Sequence, residues 1–212
     1  MTIVPTSTLT IRDALVRDLY SVTQVLAAAC ASSMAGRWLD PFADNRGRMV
    51  VDYIGALASR ALSSGIARVV EDGGEIVGAA LWALHPPETG PVGACDGGVQ
   101  FDGDSGPVVH DRRAVLVSAA ERCRPRHAAH QQLVYLGVRP DMQRRGVGTR
   151  LLISHHALLH VTGVPSYVLA DDIRARDMFL RHGYSGIGPA RLLPGGLLVW
   201  PMWRSPAAAD PV

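Results

Sequence analysis

Two hydrophobic rhythms run through the first third of the chain. Thr8 to Arg12 alternates, with Leu9 and Ile11 on one side, and predicts a short first strand. Asp13 then offers a cap for a helix whose apolar residues fall at Leu15, Leu19, Val22, Leu26 and Ala29. Val50, Ile54, Leu57 and Ala61 repeat that helical step and predict a second helix, stopping near Gly65. The connection from Ser32 to Arg48 carries Trp38, Pro41, Phe42 and Arg46; it either overhangs a pocket or simply packs. Ala67 to Glu71 and Glu75 to Leu84 read as two strands joined by Asp72-Gly73-Gly74, a hairpin signal.

From Pro86 to about residue 108 the composition turns to Gly and Pro and periodicity is lost. This predicts a mobile surface insertion and not a boundary, because the second half lacks partners for a sheet of its own. A helix over Asp111 to Arg122 leads to a strand at Leu133 to Val138, with a lead-in from His130. A Pro-started loop (Arg139 to Met142) and a long helix to Leu159 follow, with Val147, Leu151, Leu152, Leu158 and Leu159 on its buried side and His155 near it. Tyr167 to Ala170 predicts a strand and Asp172 to His182 a helix. Tyr184 to Ile187 and Leu197 to Trp203 form a closing pair around Pro194-Gly195-Gly196. There is no internal repeat.

These 212 residues suffice for one buried core, so a single domain over 1–212 is expected, with a tail from about 205 to 212. No apolar run reaches the ~18 residues of a membrane span, and the first ten residues lack a signal-peptide layout. A net charge of +2, with both signs mixed, argues against nucleic acid as the main partner. Cys30, Cys95 and Cys123 are odd in number and irregularly spaced, which fits reduced thiols and a cytoplasmic location. His156 and His160 lie four apart, but no third ligand accompanies them, so a polar helix face is expected and no metal site.

The candidate chemistry lies at Gln143-Arg144-Arg145-Gly146-Val147-Gly148-Thr149. Glycines at 146 and 148 let main chain approach a ligand closely. The helix starting there leaves its first amides unpaired and aims the positive end of its dipole at the same point. With Arg144 and Arg145 this makes a polyphosphate cradle. Leu151 stands where a dinucleotide fingerprint needs its third Gly, and the chain has no Gly-Lys-Ser/Thr for a P-loop.

Gln-x-x-Gly-x-Gly after a strand ending in Val-x-Pro resembles the acetyl-CoA motif of the GNAT superfamily of N-acetyltransferases. The run Ala170 to Tyr184 looks like a second GNAT signature, with Asp172, Ala175 and Phe179 at its marked positions. The ending Trp200-Pro201-Met202-Trp203-Arg204 and the lead-in at His130 resemble a branch of actinobacterial proteins similar to puromycin N-acetyltransferase. The likeness is strong from His130 to Arg204 and weak before it. It implies an α/β (α+β) GNAT fold with a mixed central sheet of six to seven strands flanked by helices, its central strands splayed. Three positions depart from the pattern: Asp172 replaces an Asn, Phe179 replaces the Tyr that protonates the departing thiolate, and Leu169 replaces a Glu of close relatives.

The resemblance implies transfer of acetyl from acetyl-CoA to a primary amine of a small molecule, by a monomer or homodimer. The loop from Gln143 to Thr149 would clamp the cofactor. Main chain at Leu136, Gly137 and Val138 would hold pantetheine and polarise the thioester carbonyl. For the proton-accepting base the candidates are His130, Tyr135, His85 and Glu121. Phe179 and Leu169 keep open a non-catalytic CoA-binding sensor, and protein N-acetylation is a further alternative.

Overall fold

The computed structural model describes residues 9–41, 43–64, 66–88 and 112–206, with backbone alone for 43–49 and 64. Strand β1 (Thr10–Asp13) precedes helices α1 (Leu19–Ser32), α2 (Met34–Leu39) and α3 (Ala43–Ser64). Strands β2 (Ile66–Asp72) and β3 (Glu75–His85), helix α4 (Arg112–Cys123) and strand β4 (His130–Val138) come next. Helix α5 (Val147–Thr162), strand β5 (Ser166–Ala170) and helix α6 (Ile173–Arg181) lead to β6 (Ser185–Gly186), β7 (Arg191–Leu192) and β8 (Leu198–Arg204). The strands make one eight-stranded mixed sheet in the order β1-β2-β3-β4-β5-β8-β6, with β7 beside β8. β4 and β5 run parallel; the other pairings are antiparallel. Of these eight strands the one not read from the sequence is β7, two residues long and too short to leave a pattern; β6 lies within the expected Tyr184 to Ile187.

Two apolar layers fill the two sides of this sheet. On one side α1 and α3 bury Val22, Leu26, Cys30, Val50, Ile54 and Ala58 against Val69, Ala79 and Leu81. On the other, Val147, Leu151 and Leu152 of α5 and Phe179 of α6 pack on Val77, Ala80, Trp82, Leu133 and Val168. The close fit of α1 on β4 needs Gly137, where a Cβ would come within 2.7 Å of a Leu26 methyl and 2.9 Å of the Ala29 Cβ.

Several sequence expectations need correction. Asp13 does not cap α1: it closes β1 opposite Arg68, and its carboxylate lies 3.2 Å from that guanidinium. A single 3-10 turn (Val16–Asp18) intervenes, and the Asp18 carboxylate accepts the Leu15 amide at 2.7 Å. Leu158 is 46 % exposed. The buried stripe of α5 drifts from Val147 and Leu151 round to His155, His156 and Leu159, which leaves Leu158 at its edge in the last turn. His156 is not on a polar face. It is buried and shares a hydrogen bond of 3.1 Å with the Tyr184 hydroxyl, while His160 is exposed. Pro194-Gly195-Gly196 joins β7 to β8, not β6 to β8.

The connection after α1 forms α2, which buries Trp38 and Leu39. Of the expected insertion, 86–88 are described; 89–111, Thr8, Phe42, Gly65 and the tail from 207 lie outside the described residues, as does the Arg46 side chain. Among the described residues no helix is long and apolar enough to cross a membrane.

Candidate functional site

β4 and β5 pair at Gln131 with Ser166, Gln132 with Tyr167 and Leu133 with Val168, and then part. The separation begins beside a β-bulge. Leu81 of β3 faces Tyr135 and Trp82 faces Leu133, so Val134 is an extra residue in β4. Val134 and Tyr135 consequently both face the α1/α3 layer, and Leu136 and Val138 the α5 layer.

Beyond the bulge the β5-facing edge of β4 is open. The Arg139 amide donates to the Val77 carbonyl at 2.9 Å, towards β3. Main-chain groups alternate sides along a strand, so those of Val138 and Leu136 point away from β3, into the gap. The Gln143 side chain confirms this direction by donating to the Val138 carbonyl at 3.1 Å.

A cleft of about 430 Å³ occupies the gap. Its walls are Leu133 to Val138 of β4, Val168 to Ala170 of β5 with Asp171 and Asp172 just beyond it, Ala175, Met178 and Phe179 of α6, and Ser32 and Ser33 at the end of α1. Gln143, Arg144 and Arg174 supply its polar end. The adjoining loop is shaped by left-handed backbone: Gly146, the residue before α5, has φ +80° and Arg144 φ +59°. For a non-glycine residue that conformation is uncommon and costs on the order of 1 kcal/mol. The amides of Val147, Gly148 and Thr149 open α5 with no carbonyl inside the helix to receive them. A Cβ at Gly146 would meet nothing within 4 Å; one at Gly148 would touch Leu136 at 3.4 Å. The cleft can therefore hold an elongated ligand by strand-like hydrogen bonds and an anionic group at one end.

The remaining cofactor candidates divide. Val147 is buried beneath the sheet, and Gly148 and Thr149 are half-buried at the helix start. Arg145 is exposed and outside the cleft lining. Asp172 lines the cleft and caps α6, its carboxylate accepting the Arg174 amide at 2.7 Å. Phe179 lines it with its ring edge-to-face on Tyr184, centroids 5.3 Å apart. The Tyr184 hydroxyl is engaged by Ser166 at 2.7 Å as well as by His156.

A second cavity, of about 380 Å³, lies on the α1/α3 side of the sheet. Cys30, Leu39, Tyr53, Leu57, Leu116, Val117 and Tyr135 make it largely apolar, and His85 and Glu121 border it. The two cavities share Leu133, Val134, Tyr135, Leu169 and Asp171.

Of the base candidates, Tyr135, His85 and Glu121 line this second cavity and His130 does not. His130 is fully buried outside both linings, with Nδ1 at 2.9 Å from the Ala128 carbonyl and its ring stacked on His85 at 5.2 Å. Burial lowers its pKa, and His85, Arg124 and His127 lower it further. His85 borders the second cavity; burial and then Arg124 lower its pKa. Glu121 accepts from Arg124 at 3.0 Å, and Arg124 also binds Glu88 at 2.6 Å. Burial holds the Tyr135 hydroxyl well above its ordinary range, and it exchanges a hydrogen bond with Cys30.

Sequence reasoning missed Asp171. It lines both cavities, burial raises its carboxyl to about 6, and the neighbouring Asp172 adds to the shift. Tyr167, Leu169 and Asp171 alternate, and continuing that period past the strand end would have found it. Arg174, the second residue of α6, was missed as well.

No protein-family model matches the chain. No curated protein matches it either. Solved structures do. A histone acetyltransferase and related acetyltransferase of Corynebacterium glutamicum is similar over 96% of this chain and 99% of its own, with 24% identity and a TM-score of 0.66. A GCN5-related N-acetyltransferase of Rhodopseudomonas palustris is similar over 94% and 96%, with 20% identity and a TM-score of 0.55. An N-acetyltransferase of Thermoplasma acidophilum in complex with coenzyme A is similar over 93% and 99%, with 11% identity and a TM-score of 0.57. The fold is that of the GNAT acetyltransferases.

Proposed function

We propose that this chain is an N-acetyltransferase that moves acetyl from acetyl-CoA to a primary amine of a small molecule. The observation that carries the reading is the gap between β4 and β5, which opens beyond Leu133 and Val168 and runs to the loop before α5. The residues there suit the cofactor. Main-chain groups of Leu136 and Val138 face the gap, a side chain at Gly146 would impose left-handed strain, and amides at the start of α5 await an anion. A solved structure of the same fold holds coenzyme A.

Arg144 and the amides of Val147 to Thr149 would bind the diphosphate, and Leu136 and Val138 the pantetheine amides. When bound, acetyl-CoA supplies an acetyl group already activated as a thioester. The Val138 amide, fixed in direction by the β3 ladder, would polarise the thioester carbonyl. Leu133, Val134 and Leu169 keep the junction of the cavities apolar, which strengthens that dipole by excluding water. Phe179 supplies ring packing and no hydroxyl. A thiolate needs little protonation, so the loss costs at most the ~10²–10⁴-fold of acid assistance.

Within the GNAT proteins we place the chain near the puromycin N-acetyltransferase-like branch, on the residues from Trp200 to Arg204. A single domain acting as a monomer or homodimer in the cytoplasm completes the reading; the buried, unbridged thiol of Cys30 suits such a compartment.

Calorimetry with acetyl-CoA, followed by thiol release across a panel of small amines, tests the proposal. Saturable binding with amine-dependent thiol release is the expected result. Absence of binding at millimolar acetyl-CoA would overturn it.

A further inference from the structure

The carboxylate of Asp171 lines the cavity on the α1/α3 side where that cavity meets the β4–β5 cleft. We propose that Asp171 pairs with the ammonium group of the acceptor and takes one of its protons, confining acceptors to primary amines on a compact apolar body. This rests on the acetyl-transfer reading above.

Position comes first. Asp171 comes directly after the last residue of β5 and, like Leu169, lines both cavities. A nitrogen held at its carboxylate therefore lies beside the β4–β5 gap, where the thioester is to be placed. Among the described residues Asp171 has no ion pair. A half-buried carboxylate on a largely apolar lining gains from a cation beside it, and a substrate ammonium would supply one.

The other candidates are committed elsewhere. Glu121 is held by Arg124, and His130 lies outside both cavities. His85 as a cation is disfavoured by burial and by Arg124. The groups that interact with Asp171 are Cys30 of α1, Tyr53 of α3, Tyr135 of β4 and its neighbour Asp172, with Arg113 of α4 acting on Tyr53; Arg60, His85 and Glu121 are the other charged or titratable residues of the cavity lining. Burial raises the Cys30 thiol and pushes the Tyr53 hydroxyl up to about 12, so these groups stay protonated at neutral pH. The carboxyl of Asp171, raised to about 6, is left to exchange a proton there.

The walls define the rest of the acceptor. Leu39, Leu57, Leu116 and Val117 offer apolar contact. A volume of 380 Å³ lies near the small end of the ~300–1,000 Å³ usual for ligand pockets. Such walls would strip water from a second ammonium, so monoamines fit better than polyamines.

The proton count closes. One proton of R–NH3+ passes to the Asp171 carboxylate, leaving R–NH2. The nitrogen lone pair forms the C–N bond to the acetyl carbon while the C–S bond breaks. A second proton leaves nitrogen for the thiolate sulfur, and Asp171 returns its own to solvent. The products are the amide, the free thiol and one solvent proton.

The test compares wild type with Asp171→Asn and Asp171→Glu. Without cofactor, phenethylamine should bind wild type at least tenfold more tightly than the neutral 2-phenylethanol, and Asp171→Asn should abolish that preference. Acetyl-CoA affinity should stay within about twofold in both variants. In the loaded enzyme, kcat/KM for phenethylamine should fall about a hundredfold or more in Asp171→Asn and lose its limb near pH 6. Asp171→Glu should recover part of both. Phenethylamine should be a better acceptor than spermidine. An Asn variant that keeps the ammonium preference, or keeps the limb, overturns the role of Asp171; spermidine as the better acceptor overturns the apolar body. Wild type that binds the amine but ignores acetyl-CoA overturns only the acetyl-transfer reading. If Asp171→Asn melts, the wild-type preference for phenethylamine must weaken below pH 6, and an unchanged preference overturns the proposal.

Discussion

Gln143 donates its side-chain amide to the Val138 carbonyl at 3.1 Å, tying the loop before α5 to the end of β4 on the side of the gap. The bond spans five residues and sets how the loop faces the cleft. Its loss should remove about 1 kcal/mol of preorganisation, roughly a fivefold change in affinity. Gln143→Ala should therefore weaken acetyl-CoA binding by about fivefold in calorimetry, with little change in melting temperature because Gln143 is exposed. Unchanged affinity would show that the loop holds its position unaided.

Gly146 has φ +80° and open space around a would-be Cβ, so substitution there acts through backbone strain and charge and not through a clash. Gly146→Ala should cost about 1 kcal/mol. Gly146→Asp adds a negative charge beside the diphosphate and should lower acetyl-CoA affinity a hundredfold or more. Equal effects of the two variants would show that charge plays no part at this loop.

Phe179→Tyr restores a hydroxyl on a ring that already lines the cleft. Turnover should hold or rise, by about tenfold at most, with KM for acetyl-CoA little changed. A large fall in steady-state kcat would show that the apolar edge of Phe179 is what the site requires.

The α5 layer makes the protein sensitive to acid. Burial pushes His155 down to about 4 and His156 to about 3. In the unfolded chain both titrate near ~6.5. Below that pH the unfolded state binds more protons, so stability is full above about 6.5 and falls as pH drops towards 4. Each imidazole is worth on the order of 3 kcal/mol across its window. Asp171, raised to about 6, acts in the opposite direction, but two imidazoles outweigh one carboxyl. Melting temperature should decline steadily from pH 7.5 to 4.5, and His155→Gln should flatten the decline. A flat wild-type profile would refute the assignment.

Gly137→Val should be the most damaging of the β4 substitutions. Its branched side chain would enter space already filled by Leu26 and Ala29 of α1, and overpacking of this kind costs ~1–3 kcal/mol. Denaturant unfolding measures the loss; a loss under about 0.5 kcal/mol would mean that α1 moves aside freely.

The parts legible from sequence were those specified by neighbours along the chain. The β2–β3 hairpin is carried by Asp72-Gly73-Gly74, and the loop before α5 by its glycines and arginines; both elements lie where the pattern put them. Local signals failed where tertiary contacts decide. Asp13 has the chemistry of a cap, but pairing with Arg68 keeps it in the sheet. His156 has the chemistry of a surface residue, but Tyr184, 28 positions away, gives its ring a buried partner. The second cavity is walled by α1, α2, α3, α4, β3, β4 and β5, so no single stretch announces it. Asp171 was on view in a run of recognisable residues; its depth, set by helices distant in sequence, was not.

The extra residue Val134 works as a bend and not as a change of phase. Without it Tyr135 would follow Leu133 directly and still sit opposite Leu81, so Leu136, Gly137 and Val138 would keep their faces and their partners on β3. What would go is the kink and added twist that a bulge gives its strand. A chain shortened by Val134 alone should therefore let β4 straighten alongside β5 and narrow the gap, while the seat of α1 on Gly137 survives.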